Sequence, residues 1–207
     1  MLKKFLIIIS LFFITGVQLS FAEQDKYSFF DKSYFPHAQA NDYESNLTRY
    51  VLDHLDLNDE DLVLDLNQSA IDISIFKEYN LSESQIIGIG SFDFKGQSAT
   101  KIFVVDEPKN FHPFEDFIKD TYKALKPNGR IAFATILAKK ANDLNIVIAD
   151  DVKTQMKNTG FKDIHFEPLG KYVFQGSSGV KWQKHYQEDL IDFYLVVADK
   201  PVVLERA

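Results

Sequence analysis

The chain of 207 residues contains no cysteine. Disulfides, thiolate chemistry and attachment through a lipidated cysteine are therefore excluded, and an apolar core must supply the stability. Positive charge is also short: 23 Lys and Arg stand against 30 Asp and Glu, a net charge of −7. An acidic surface argues against nucleic acid and anionic membrane as partners. His37, His165 and His185 have no partners at metal-binding spacing, so no zinc site is expected. Internal repeats and low-complexity tracts are lacking as well. What is present is 45% hydrophobic residues, enough for one domain with a sizeable core and too few for two comfortable ones.

The first segment carries an address. Lys3 and Lys4 precede an apolar run from Phe5 to Val17 and then Ser20-Phe21-Ala22, the layout of a signal peptide over residues 1–22 cleaved after Ala22. The alternative is an uncleaved anchor, but the run is shorter than the roughly 20 residues of a spanning helix. The expectation is a periplasmic or secreted protein with no stable membrane anchor. Removing Lys3 and Lys4 takes the net charge from −7 to −9, since no acid precedes Glu23. Asn46-Leu-Thr48, Asn67-Gln-Ser69 and Asn80-Leu-Ser82 match the glycosylation pattern, a short signal that matters only in a eukaryotic secretory route.

Residues 23–41 are polar and aromatic without periodicity and read as an N-terminal arm; residues 42–201 form the domain and 202–207 a tail. Leu47, Tyr50, Val51, His54 and Leu55 make a helical stripe within 42–57, on which His54 is a packing residue. Leu62 to Leu66 is a buried strand, and Ile71, Ile75, Phe76 and Tyr79 mark the next helix. Gln85 to Gly90 and Lys101 to Val105 are further buried strands. Phe114 to Leu125 is helical, and Lys126-Pro-Asn-Gly129 breaks it and turns the chain into a strand from Arg130 to Leu137. Asp150 to Thr159 is the last helix, with Asp150 or Asp151 as N-cap and Gly160 at its end. Strands Lys162 to Pro168 and Leu190 to Ala198 close the chain, separated by a long polar loop over 170–188 that holds Trp182, the only tryptophan. This order predicts an α/β fold: a mostly parallel sheet, helices on both faces and an antiparallel C-terminal hairpin at one edge.

Several strings resemble the class I S-adenosylmethionine-dependent methyltransferases. Tyr122-Lys-Ala-Leu-Lys-Pro-Asn-Gly-Arg-Ile-Ala resembles the stretch where that family's helix ends in Leu-Lys-Pro-Gly-Gly and a strand begins. Met156-Lys-Asn-Thr-Gly-Phe-Lys-Asp-Ile is similar to its last helix, and Phe193-Tyr-Leu-Val-Val-Ala-Asp-Lys-Pro to its final strand. Lys109-Asn-Phe-His112 is similar to an Arg-Asn-x-His string in predicted methyltransferases that carry signal peptides. The resemblance covers roughly residues 42–201 and implies a Rossmann-like methyltransferase fold with S-adenosylmethionine as cofactor where the protein is active.

The resemblance also locates the site. In the family an acidic residue at the end of the first strand precedes Gly-x-Gly-x-Gly, whose glycines let the backbone approach the cofactor. Here Asp65 is kept, but Asn67, Ser69 and Ile71 stand at the glycine positions. Asn tolerates positive φ and Ser is small, whereas β-branched Ile71 cannot take a left-handed conformation cheaply. The ribose-binding acid of the second strand aligns with Gly90, which has no side chain to offer; Asp93, three residues on, is a substitute only through a shifted loop. The span between Gly90 and Lys101 is too short for the usual helix and strand. Asp65 itself has two readings, cofactor ligand or cap of the following helix.

Asp106 and Glu107, followed by Pro108, stand where this fold puts substrate and catalytic residues, and read as a general base, as a metal site or as a solvated loop. His112 is a candidate base near neutral pH, with Asn110 beside it. Gly176-Ser-Ser-Gly179 reads as a flexible loop, lacking the Lys and the strand-to-helix context of a phosphate site. Tyr172, Phe174, Trp182 and Tyr186 form either an aromatic binding surface or a cover over the sheet. The leading expectation is an exported methyltransferase-like protein with a degenerate S-adenosylmethionine site, non-catalytic, without a cofactor, and binding an unidentified protein or small-molecule ligand. The alternative is an active, divergent methyltransferase using Asp65, Asn67, Ser69, Gly90 and Asp93 for the cofactor and Asp106, Asn110 and His112 near the substrate. A hydrolase built on Asp106, Glu107 and His112 ranks last, because no Gly-x-Ser-x-Gly elbow is present.

Overall fold

The computed structural model describes residues 43–67, 73–88, 98–105, 113–141, 144–174 and 182–202. Helix α1 (Tyr43–Asp53) leads to strand β1 (Val63–Asp65), helix α2 (Ile73–Glu78), a 3-10 turn (Glu83–Gln85) and strand β2 (Ile86–Gly88). Strand β3 (Ala99–Val105), helix α3 (Phe114–Ala124), strand β4 (Leu125–Ala138) and helix α4 (Ala149–Thr159) follow. The described chain closes with strand β5 (Lys162–Pro168), helices α5 (Gly170–Val173) and α6 (Gln183–Gln187), and strand β6 (Ile191–Asp199).

The six strands form one sheet in the order β2-β1-β3-β4-β6-β5. The first four run parallel, and β6 lies antiparallel between β4 and β5. Alternation along the central strands sends side chains to two cores. Val63, Phe103, Ala132, Ala134 and Leu195 pack with Leu47, Val51 and Leu52 of α1, Ile75 and Phe76 of α2, and Val173 of α5. Leu64, Ile102, Val104, Phe133 and Val196 pack on the opposite face with Phe117 and Ile118 of α3 and Val152 and Met156 of α4. Each such side chain removed from water contributes about 1.5–3 kcal/mol. This is the α/β fold with two covered faces and an antiparallel edge that the sequence pattern implied. Among the described residues no helix is long and apolar enough to cross a membrane.

The amino ends of the parallel strands are tied by side chains. Thr100 accepts from the Leu62 N–H (2.9 Å) and donates to Asp61 (2.6 Å), joining β1 to β3. Lys101 donates to the carbonyls of Leu55 (2.8 Å) and Asp56 (3.0 Å) just past α1. The C-terminal end of α1 is thereby held at this edge, and α1 packs against β3 and β4. Buried Lys200 donates to the carbonyls of Tyr122 (2.8 Å) and Leu125 (2.7 Å), capping α3, and lies 4.6 Å from the Tyr122 ring centroid. Burial pushes its ammonium pKa down. Arg130 meets Asp199 through two hydrogen bonds of 2.6 and 3.0 Å across β4 and β6.

Three local expectations are corrected. Residues 170–188 include α5 and α6 rather than only loop, because Gly170 and the aromatic side chains around it pack onto the sheet. Residues 126–129 do not separate α3 from its strand, since β4 begins at Leu125 and takes the interruption internally. Asn128 adopts φ 64, its N–H donates to the Lys200 carbonyl (2.9 Å), and the Lys200 N–H donates to that of Gly129 (2.8 Å). The N-cap of α4 is Ile148; Asp150 and Asp151 lie in the first turn, where they complement the helix dipole. Gly160 does end α4, at φ 115. The 1–22 signal peptide, the arm over 23–41 and Gly176–Gly179 lie outside the described residues.

Gly170 has no room for a side chain: an added Cβ would come within 2.5 Å of Tyr186 Cε2 and collide with the Asp192 carboxylate. Gly170→Ala should lower the unfolding free energy by about 2–3 kcal/mol. Gly88→Ala, where nothing lies within 4 Å, should change it by less than about 1 kcal/mol. Urea unfolding of the two variants checks this, and equal midpoints would contradict the packing of α5 against β6.

Candidate functional site

Strand β1 has β2 on one side and β3 on the other, so the chain reverses its direction of travel across the sheet between β1 and β3. In such sheets a ligand crevice opens outside the carboxyl ends of the two strands that flank the reversal. Here those ends are Asp65 and Val105. Asp65 pairs with Phe103 across the gap, and the Leu66 N–H donates to the Phe103 carbonyl (3.1 Å). Asp65 is 6% exposed and Asn67 is 8% exposed.

Asn67 joins the two ends. Its backbone N–H donates to Asp65 Oδ1 at 2.9 Å and its side-chain Nδ2 to the same oxygen at 2.5 Å. Its Oδ1 accepts from the Val105 N–H at 2.7 Å. The backbone bond is a tight Asx turn, in which a carboxylate takes the N–H two residues on. The side chain does more, spanning from one strand end to the other.

Burial raises the pKa of the Asp65 carboxyl from the ordinary 3.8 to about 6, while the hydrogen bonds from Asn67 work in the opposite direction and only partly offset it. Within the described residues the Asp65 carboxylate is engaged by Asn67; the stretch 68–72 that leads to α2, on which the cap reading of Asp65 turns, lies outside them.

Of the other sequence candidates, Ser69, Gly90, Asp93, Asp106, Asn110 and His112 lie outside the described residues, as do Ile71 and Glu107. His54 follows the end of α1, its Nδ1 at 2.8 Å from the Tyr50 carbonyl and its ring tilted against that of Tyr50, centroids 4.7 Å apart. It is a packing residue at the edge away from the crevice. Tyr172, Phe174, Trp182 and Tyr186 pack against the core on the α1 face, with Phe174 and Tyr186 centroids 4.9 Å apart, so they cover the sheet. Asn46 and Thr48 are both 3% exposed, which leaves that glycosylation pattern inaccessible. Sequence reasoning singled out Asp65 and Asn67 but not the Val105 N–H, because a backbone group leaves no residue-type signal.

Neither a protein-family model nor the sequence of a curated protein matches the chain. Solved structures do match it. Haemonchus contortus phosphoethanolamine N-methyltransferase 2, solved with S-adenosylhomocysteine, is 12% identical with a TM-score of 0.61 over 75% of this chain and 52% of its own. The chain thus spans about half the length of that enzyme. Geranyl diphosphate C-methyltransferase from Streptomyces coelicolor A3(2) is 12% identical with a TM-score of 0.62, over 84% of this chain and 88% of its own. The cyclase SpnF is 14% identical with a TM-score of 0.59, over 84% and 87%. At these identities the likeness establishes the Rossmann-like class I methyltransferase fold. The presence of a cyclase among the matches shows that the fold does not fix the reaction.

The raised pKa of Asp65 has a defined sign. The folded chain holds this proton more tightly than the unfolded chain, so stability falls as pH rises from about 4 to about 6 and stays reduced above. The loss approaches about 3 kcal/mol. Asp65→Asn should remove that penalty, making the variant more stable than the parent at pH 7–8 by about 1–3 kcal/mol, with the difference shrinking toward pH 4. Denaturant unfolding at pH 4, 6 and 8 measures it, and a variant less stable at every pH would contradict the assignment.

Proposed function

We propose that the chain is an exported protein that keeps the class I methyltransferase fold without methyl-transfer chemistry, its crevice serving a protein partner or a small ligand. The observation that carries this reading is Asn67. A glycine here would leave room for a cofactor and a free Val105 N–H; Asn67 fills the room and takes the N–H itself. The sequence adds Ile71 at the last glycine position and Gly90 at the place of the ribose-binding acid. Losing that acid removes on the order of 2–4 kcal/mol, one to three decades of affinity. The address points the same way, since S-adenosylmethionine is made from ATP in the cytosol and a periplasmic enzyme would need an outside supply.

One observation favours a second reading, an active but divergent methyltransferase. Asp65 is a buried carboxylate whose ionisation lowers stability, and strongly perturbed groups of this kind cluster at functional sites. In that reading Asp65, Asn67 and Asp93 hold the cofactor, with Asn110 or His112 beside the substrate.

Calorimetric titration of the purified chain with S-adenosylmethionine and S-adenosylhomocysteine separates the two. The expected result is no heat and no thermal stabilisation at millimolar ligand. Micromolar binding would overturn the first reading in favour of the second, under which Asp65→Ala must lose binding and activity. Export is tested independently: expressed with its own leader in a bacterium, the protein should be recovered from the periplasm with Glu23 as its first residue. A full-length product in the membrane pellet would show an anchor instead.

A further inference from the structure

The orientation of the Asn67 amide is forced by what it faces. Reversing it would set an oxygen against Asp65 Oδ1 and an NH2 against the Val105 N–H, two repulsive contacts in place of two hydrogen bonds. The strand ends therefore present a fixed pattern across the gap, an acceptor on β1 and a donor on β3. That pattern is complementary to a planar group with an N–H donor beside a carbonyl acceptor, and both side chains are shielded from water. Hydrogen bonds in such a place are expensive to leave unmade.

We propose that the Asp65 carboxylate and the Val105 N–H form a recognition pair for a primary carboxamide, that Asn67 is its resident occupant, and that an external carboxamide binds once Asn67 vacates it. The Asn67 side chain is an internal ligand of the crevice. The proposal rests on the reading of a closed crevice and names the chemistry that the crevice accepts. An acetate ligand would bring a second carboxylate against Asp65 and offer no N–H. An amide without N–H groups would keep the bond from Val105 and lose the bond to Asp65.

Truncation of Asn67 tests this by leaving a gap with the shape of the removed group, which small molecules can fill. In Asn67→Gly, acetamide should raise the melting temperature saturably and shift the Val105 amide cross-peak in a proton–nitrogen correlation spectrum. N,N-dimethylacetamide should bind at least about tenfold more weakly, having lost a hydrogen bond, and acetate should leave Val105 unmoved. The parent chain, with its own amide in place, should respond to none of the three. Should Asn67→Gly fail to fold, Asn67→Ala is read with formamide in the same way. A folded variant whose Val105 signal ignores the amide, or moves equally with dimethylacetamide or acetate, overturns the proposal. Micromolar binding of S-adenosylmethionine by the parent chain would overturn the closed crevice, whereas an amide-blind variant overturns the recognition pair alone.

Discussion

A parallel sheet covered on both faces has its strand ends as its polar exits, and the rest of this molecule follows from that constraint. The buried apolar side chains of β1, β3 and β4 enter one of two apolar cores. A charge or amide within those strands would be stranded in a medium that does not solvate it. Charged and amide groups gather toward the strand ends, and the reversal between β1 and β3 brings two strand ends together. Asp65, the last residue of β1, and Asn67 just beyond it occupy that place.

The two residues make opposite contributions. Asn67 joins β1 to β3 with hydrogen bonds at both ends of its amide, so it satisfies buried groups that would otherwise need water or a ligand. Asp65 is destabilising when ionised, because burial outweighs the two donors aimed at it. A purely structural edge would be better served by a second amide. The combination suits the proposed crevice with its occupant built in, and a fold shared with methyltransferases at TM-scores near 0.6 does not by itself indicate their reaction.

The sequence revealed those elements whose causes are local. Buried strands appear as apolar runs, Leu62 to Leu66 and Lys101 to Val105, and α3 shows its core face through Phe117 and Ile118. Gly160 marks the end of α4 because only a residue without Cβ takes φ 115 easily. What was hidden depends on distant partners. The turn expected at Lys126–Gly129 is absorbed into β4 because Lys200, some seventy residues on, pairs its backbone with Asn128 and Gly129 within it. Helices α5 and α6 are too short to show periodicity, and they form around Asp192, whose Oδ1 accepts from the N–H groups of Gly170 and Phe193, both at 2.8 Å. At the site, the resemblance put Asn67 where the family has a glycine. That its side chain reaches Val105 depends on strand order, which no local pattern encodes.

Asp192 and Asp65 together describe the character of the carboxyl edge. In α/β sheets this edge usually offers backbone N–H groups and helix N-termini to an anionic ligand. Here Asp192 takes two of those N–H groups and is in turn met by Lys139 at 3.2 Å, while Asn67 takes the Val105 N–H. These donors that would hold a phosphate or carboxylate are spent within the chain, and the net charge of −7 repels such ligands further. Among the described residues the two strand ends offer an acceptor, Asp65, beside one donor, the Val105 N–H, that the Asn67 amide already satisfies. Recognition there is accordingly matched to a neutral hydrogen-bonding group rather than to an anion.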